Sequence, residues 1–221
     1  MPDLVIFDCD GVLVDSERLT VGVEARLLTE LGWPHTAEEV VERWMGRTSE
    51  YQLGEVEARL GRDLMLAFDE RSSQEVREAF ERELRAVEGI EALVERLHDA
   101  GIPTCVASSG THDRMRYTLG ITGLYDTFDG RIYSATEVAH GKPAPDLFLH
   151  AARRMRARPE GCVVVEDSVY GVRAAVAAGM TAYGFAGGLT SAEALAAEGA
   201  LVFHEMAELV DVLVHSSANR A

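Results

Sequence analysis

Residues 4–15 read LVIFDCDGVLVD, an apolar run that leads into two aspartates and a glycine. A short apolar run bounded by turn residues is typical of a buried strand. Because positions i and i+2 of an extended chain point the same way, the Asp8 and Asp10 carboxylates would lie about 6.5 Å apart on one side. Gly11 allows the backbone to turn directly afterwards. An Asx-type turn uses the same residue types, so this segment alone leaves both a functional and a turn-forming interpretation open.

Five further runs of apolar and β-branched residues follow, and segments with helical spacing separate them. They are TCVAS at 104–108, RIYS at 131–134, CVVVE at 162–166, TAYGF at 181–185 and ALVF at 200–203. Apolar strands that alternate with helices are typical of the α/β class, in which the strands form a parallel sheet. The sequence therefore predicts an α/β fold built on a parallel sheet.

A long helical segment separates the first strand run from the second. Residues 15–87 contain no strand signal, and their apolar residues recur at helical spacing. We therefore predict an α/β core formed by 1–14 and 88–221, and an inserted helical cap formed by 15–87. Both linkers leave beside the strand that precedes Asp8, so we expect the cap to move as a lid, with substrate bound between it and the core.

Composition excludes several classes of partner. The chain has 221 residues with Lys+Arg 21 and Asp+Glu 37, a net charge of −16, which opposes binding to nucleic acids and to anionic membranes. Its three cysteines, Cys9, Cys105 and Cys162, form no Cys-x-x-Cys pair, and each lies in an apolar run where a buried, reduced thiol is expected. No signal peptide or transmembrane stretch is predicted. We expect a cytoplasmic protein that is a monomer or a weak homo-oligomer.

A second acidic pair ends another strand run. Glu166 and Asp167 lie in VVVEDSVYGV at 163–172, and in an open parallel sheet ligands bind at the carboxyl ends of the strands. Two like charges 4 Å apart repel by about 4 kcal/mol at an effective dielectric near 20, so two converging acidic pairs need a cation or a proton. Hard oxygen ligands favour Mg²⁺. If the two strands are distant, the acids merely favour a helix N-terminus.

A serine-rich turn follows the second strand run. Ser108, Ser109 and Gly110 precede a predicted helix that begins at Thr111. Hydroxyls and N–H groups at a helix N-terminus bind anions, although serine is also an ordinary helix cap.

A single lysine lies in HGKPAPDLF at 140–148. Pro143 and Pro145 keep the backbone at Lys142 extended ahead of the next helix. A rigidly presented cation near acidic groups suits a transferring phosphoryl group, and a surface lysine is the alternative interpretation.

Together these elements closely resemble the haloacid dehalogenase superfamily, in its phosphatase and phosphomutase branch with a helical cap. The resemblance covers nearly the whole chain and rests on DCDGVLVDS at 8–16, Ser108, GKPAPD at 141–146 and VEDSVYGV at 165–172. It implies a Rossmann-like core in which Asp8 is the nucleophile that becomes an aspartyl-phosphate. It also implies that Asp10 is the general acid, that Ser108 holds a phosphoryl oxygen and that Lys142 bridges the nucleophile and the phosphoryl group.

The same resemblance implies a cofactor and further substrate contacts. Its Mg²⁺ ligands would be Asp8, the Asp10 backbone carbonyl, Glu166 and Asp167. The turn residues Ser109 and Gly110 would contribute to substrate binding. In the cap, Arg47 and Thr48 lie in WMGRTSEY at 44–51, where caps of this family contact the substrate; an exposed, solvated arginine is an equal alternative.

The leading hypothesis is a Mg²⁺-dependent phosphatase that hydrolyses a small phosphorylated metabolite, a sugar phosphate or a related phosphomonoester, through an aspartyl-phosphate. A β-phosphoglucomutase-type hexose phosphomutase shares the core residues. Those mutases carry a histidine five residues after the last aspartate of the first motif, and here that position, counted from Asp15, is Thr20. A noncatalytic phosphoacceptor resembling a receiver domain is a second alternative. Receivers are about half as long, have no helical insertion and carry their aspartate on a later strand.

Overall fold

A twisted parallel sheet organises the larger of two units of the chain. The computed structural model describes residues 1–45 and 49–215, and within these residues six strands form one sheet in the order β3-β2-β1-β4-β5-β6. All neighbouring strands are parallel. The strands are β1 (Leu4–Phe7), β2 (Thr104–Ser108), β3 (Ile132–Ser134), β4 (Cys162–Glu166), β5 (Thr181–Phe185) and β6 (Leu201–Phe203). The predicted strands match these, except that β3 and β6 each begin one residue later.

Helices surround the sheet and form the smaller unit. The larger unit comprises Met1–Asp15 and Arg85–Ala221, and the smaller one comprises Ser16–Leu84. The helices are α1 (Ser16–Glu30), α2 (Ala37–Trp44), α3 (Ser49–Leu60), α4 (Arg62–Glu83), α5 (Ile90–Asp99), α6 (His112–Ile121), α7 (Asp146–Arg154), α8 (Val169–Ala177), α9 (Ala192–Ala197) and α10 (Met206–Val210). Of the helices in the described part of the chain, none has the length and apolar character needed to cross a membrane.

The secondary-structure elements of the smaller unit, in its described part, are all helices. Helix α1 packs against α2 and α4, and α3 packs against α4. Buried apolar side chains such as Leu28, Phe68 and Phe80 form its interior, and the Arg71–Glu30 ion pair joins α4 to α1 at 2.7 Å. Apolar stripes of this kind bury one face of each helix and leave the charged face to solvent.

The two linkers pair with each other and belong to the larger unit. Val14 and Ala86 form an antiparallel bridge, and the Val87 N–H donates to the Leu13 carbonyl at 3.0 Å. The chain is therefore extended after Leu84, where α4 has already ended. The smaller unit spans 16–84 rather than the predicted 15–87, because apolar spacing alone does not distinguish the last helical turn from the extended linker that follows.

The strand order places the candidate residues at one edge of the sheet. Strand β1 is central, with β2 on one side and β4 on the other. The chain adds β2 and β3 on one side of β1 and then crosses over to add β4, β5 and β6 on the other side, so the strand order switches between β1 and β4. Ligands bind at such a switch point, outside the carboxyl ends of the strands. The Asp8 N–H donates to the Val165 carbonyl at 3.0 Å, so the ends of β1 and β4 are joined where both acidic pairs begin.

Candidate active site

Lys142 joins the ends of β1 and β4 through two ion pairs. Its Nζ donates to Asp8 Oδ1 at 2.6 Å and to Glu166 Oε1 at 2.5 Å. The side chains of Lys142, Asp8 and Glu166 are 6%, 11% and 0% exposed. The ring of Phe148, on α7, lies 5.0 Å from Nζ, a distance typical of a cation–π contact. The lysine is therefore a buried cation held between two carboxylates.

Burial governs the electrostatics of this cluster. Desolvation raises the pKa of Asp8 to about 7; the positive charge of Lys142 opposes this shift, and the negative charge of Glu166 adds to it. Burial by itself lowers the pKa of Lys142, but the charges of Asp8 and Glu166 outweigh it and hold that pKa above its usual value. The lysine thus stays protonated and supplies a fixed positive charge beside Asp8.

Three carboxylates converge at this edge of the sheet. Asp8, Glu166 and Asp167 each offer an oxygen, and these oxygens lie within 4.8 Å of one another with all three residues buried. One lysine cannot neutralise three ionised carboxylates, and like charges at this spacing repel by several kcal/mol at an effective dielectric near 20. An all-oxygen donor set of this kind fits a small, hard divalent cation.

Glu166 is held by the start of α8 as well as by Lys142. Its Oε2 accepts hydrogen bonds from the Ser168 N–H at 2.8 Å and the Ser168 hydroxyl at 2.9 Å. The Ser168 Oγ in turn accepts from the Gly171 N–H at 3.0 Å and caps the helix. Both Glu166 oxygens therefore accept hydrogen bonds, which fix the carboxylate in place at the end of β4.

Ser168 was not predicted as a site residue. A serine directly before a predicted helix is a capping signal, but that signal does not indicate the hydrogen bonds from Ser168 to Glu166.

The serine turn after β2 is shaped by hydrogen bonds from two strands. Ser108 is buried at the end of β2, and its Oγ accepts from the Gly110 N–H at 3.1 Å. Its own O–H therefore remains available to donate. Ser134, buried at the end of β3, donates its hydroxyl to the Gly110 carbonyl at 2.7 Å. Ser109 is exposed. These hydrogen bonds from the ends of β2 and β3 fix the backbone of the turn at Gly110.

Asp10 pairs with an arginine that was not predicted to belong to the site. Arg114, on α6, donates Nη2 to Asp10 Oδ1 at 3.0 Å and Nε to Asp10 Oδ2 at 3.3 Å. The two residues are 104 positions apart in the chain, and no motif or spacing in the sequence connects them.

The larger unit brings the predicted site residues that lie outside the helical insertion to the carboxyl edge of the sheet. Asp8 and Asp10 follow β1, Ser108 ends β2, Glu166 ends β4 with Asp167 after it, and Lys142 reaches the cluster from the segment before α7. Arg47 and Thr48 lie outside the described residues.

Comparison with known proteins identifies the family. A family model for haloacid dehalogenase-like hydrolases matches residues 2–179. The chain belongs to this family. This haloacid dehalogenase-like protein is 33% identical over 186 residues to the 6-phosphogluconate phosphatase of Escherichia coli, covering 83% of this chain and 82% of that protein. It is also 32% identical over 213 residues to a phosphorylated carbohydrates phosphatase of Thermotoga maritima, covering 96% and 98%.

A solved structure extends the comparison to the whole fold. A conserved haloacid dehalogenase-like protein of unknown function from Agrobacterium tumefaciens superposes with a TM-score of 0.86 at 38% identity, covering 98% of this chain and 100% of that one. The predicted family and α/β fold are thereby confirmed, as is the prediction that this haloacid dehalogenase-like chain is an enzyme of the hydrolase class.

Proposed function

We propose that this haloacid dehalogenase-like hydrolase is a Mg²⁺-dependent phosphatase that hydrolyses a small phosphomonoester through an aspartyl-phosphate on Asp8. The observation that carries the proposal is the buried contact of Asp8 with Lys142 at 2.6 Å, beside Glu166 and Asp167. A carboxylate held against a permanent cation, at the open end of a sheet, suits attack on a negatively charged phosphoryl group.

The first step forms a bond between an Asp8 oxygen and phosphorus and breaks the bond from phosphorus to the ester oxygen. Asp10 gives its proton to that leaving oxygen. In the second step a water attacks phosphorus and gives a proton to Asp10, and the bond to Asp8 breaks, which restores the enzyme and releases phosphate. General acid–base catalysis of this kind contributes about 10²- to 10⁴-fold.

The chain's own groups also stabilise the phosphoryl oxygens. Ser108 has an O–H to donate, and the Gly110 backbone is held in place by Ser108 and Ser134. Lys142 places its charge beside the reacting oxygen of Asp8. Positioned donors and cations supply most of the rate acceleration in phosphoryl transfer, because negative charge is spread over several oxygens in the transition state.

Mg²⁺ is the proposed cofactor, and Asp8, Asp167 and the Asp10 backbone carbonyl are its proposed ligands, with Glu166 as a further candidate. When bound, the ion supplies positive charge to the phosphoryl oxygens. The oxygen-only donor set of the acidic cluster supports this choice over a metal that prefers sulfur or nitrogen.

A sugar phosphate or a related phosphorylated metabolite is the proposed substrate class. Two relatives that cover most of this chain are named as a 6-phosphogluconate phosphatase and a phosphorylated carbohydrates phosphatase. Arg47 and Thr48 remain predicted substrate contacts. The cytoplasmic location also remains a prediction, and the three free, buried cysteines are compatible with a reducing compartment.

Hydrolysis is favoured over hexose phosphate isomerisation by Thr20. Its hydroxyl donates to the Ser16 carbonyl at 3.0 Å, within α1. The residue at the position of the mutase histidine is therefore short, uncharged and hydrogen-bonded to its own helix. The mutase remains the second candidate because it shares the same core residues.

The proposal is tested by measuring phosphate release from a panel of phosphorylated metabolites with and without Mg²⁺. The matched blank is Asp8→Asn, which nearly preserves shape but has no nucleophilic oxygen anion. We expect Mg²⁺-dependent turnover in the wild type and none in the variant, with unchanged circular dichroism. Equal turnover by both proteins would remove Asp8 from its proposed role. Retention of phosphate by the wild type, without turnover, would favour the noncatalytic phosphoacceptor.

A further inference from the structure

Arg114 contacts Asp10 with two nitrogens. Nη2 and Nε lie 3.0 Å and 3.3 Å from the two carboxylate oxygens, and the Arg114 and Asp10 side chains are 40% and 20% exposed. A two-point arginine–carboxylate pair constrains the orientation of the carboxylate as well as its position. A lysine, which acts as a point charge, would constrain the position alone.

The N-cap of α6 fixes the backbone position from which the Arg114 side chain extends. Thr111 is the N-cap, and its Oγ1 accepts from the Arg114 N–H at 3.2 Å. The side chain then passes Gly110, where an added Cβ would lie 3.5 Å from Arg114 Cδ and 3.8 Å from Asp10 Oδ2. The same Cβ would lie 3.5 Å from Ser108 Oγ. The arginine, the Asp10 carboxylate and the Ser108 hydroxyl thus surround one face of Gly110.

We propose that Arg114 is a positioning residue that orients the Asp10 carboxyl group for proton exchange with the leaving oxygen. This inference rests on the proposed function, in which Asp10 is the general acid and base. Loss of the guanidinium removes both of these hydrogen bonds, which allows the Asp10 carboxyl group to turn away from the orientation that proton transfer needs. Small displacements of a reacting group slow catalysis strongly. Removal of Arg114 should therefore slow the chemical step and leave substrate affinity unchanged.

The kinetic test compares Arg114→Ala and Arg114→Lys with Arg116→Ala. Arg116 is the matched control: it is an exposed arginine on the same helix, and its guanidinium lies over the Tyr125 ring. The probes are glucose 6-phosphate and 6-phosphogluconate, whose leaving oxygens need a proton, and p-nitrophenyl phosphate, whose leaving group departs as an anion. The compared quantity is kcat/KM, because it reports the steps up to departure of the leaving group.

We expect Arg114→Ala to lower kcat/KM by about tenfold or more for both sugar phosphates and by less than about threefold for p-nitrophenyl phosphate. Arg114→Lys should recover part of the loss, and Arg116→Ala should match the wild type. An equal loss of kcat/KM for all three probes would contradict the inference. A loss seen only as a raised KM for 6-phosphogluconate, which carries a carboxylate, would also contradict it and would make Arg114 a substrate-binding residue.

Crystal structures of the two alanine variants give a readout that does not depend on activity. The Asp10 carboxylate should leave its present orientation in Arg114→Ala and keep it in Arg116→Ala, with Ser108 and Gly110 unmoved in both. An unchanged orientation of the Asp10 carboxylate in Arg114→Ala would overturn the inference even if the enzyme proves to be a phosphatase. Conversely, a wild type that hydrolyses none of the probes would count against the proposed function, and the Asp10 orientation would still decide the role of Arg114.

Discussion

Gly171 and Glu166 lie so close together that a Cβ on Gly171 would overlap the Glu166 carboxylate. Gly171 is on α8, one turn after the residue that caps it, whereas Glu166 ends β4. The missing side chain lets the carboxylate fill that space, and Glu166 Oε1, the atom nearest to the added Cβ, accepts from Lys142 Nζ at 2.5 Å. The glycine therefore supports the charge cluster at Asp8 through direct packing.

We predict that Gly171→Ala displaces Glu166 and lowers phosphatase activity, with a loss of about 1–3 kcal/mol in the free energy of unfolding, as overpacking typically costs. Denaturant titration and steady-state kinetics measure the two effects. Gly120→Ala is the matched control, because Gly120 is a glycine of α6 with no atom within 4 Å of the added Cβ. The free energy of unfolding of Gly120→Ala should stay within about 1 kcal/mol of the wild-type value. Full activity and stability in Gly171→Ala would contradict the predicted displacement.

Asp10→Asn is predicted to lose about 10²- to 10⁴-fold in kcat for alkyl phosphates, because an amide can neither give nor accept the transferred proton. The variant keeps the shape of the side chain, so circular dichroism and phosphate binding should be unchanged. Rapid-quench kinetics would measure the slow step directly. Wild-type rates in Asp10→Asn would remove the acid–base role from this residue.

We predict net hydrolysis, with little isomerisation of hexose phosphates. A mutase must keep its aspartyl-phosphate from water while the bisphosphate intermediate reorients, and Thr20 lacks the reach and charge of the histidine at that position in mutases. The enzyme is incubated with β-glucose 1-phosphate and a trace of glucose 1,6-bisphosphate, and glucose 6-phosphate and free phosphate are followed separately. Glucose 6-phosphate that forms much faster than free phosphate would reverse the order of the two candidates.

The cysteines are predicted to be unreactive in the folded protein. All three are free and buried, and burial raises the pKa of Cys162 to about 11 and holds the pKa values of Cys9 and Cys105 above their usual range. A raised thiol pKa means less thiolate at any given pH, and the thiolate is the reactive form, so Ellman's reagent at about pH 8 should label none of them. Denaturation in guanidinium chloride should expose all three. Rapid labelling of the native protein would contradict the prediction.

Much of the core could be predicted from the sequence because the deciding signals are local. The strand at 4–7 is apolar at every position and is followed at once by Asp8, and the run at 162–166 is bounded in the same way by Asp167. Apolar spacing predicts that the helical insertion ends at residue 87, three residues beyond the observed boundary at Leu84, because the linker that follows α4 carries apolar residues that continue the helical spacing. Its extended conformation depends on pairing with the segment around Val14.

Residue patterns along the chain were enough to predict the strands, the residue types at their carboxyl ends and the family. Which of those residues come into contact depends on how the helices and strands pack. The two-point contact of Arg114 with Asp10 and the packing of Gly171 against Glu166 arise where helices dock on the sheet. Contacts of this kind depend on the distance and angle between packed elements, which no local pattern of residues encodes.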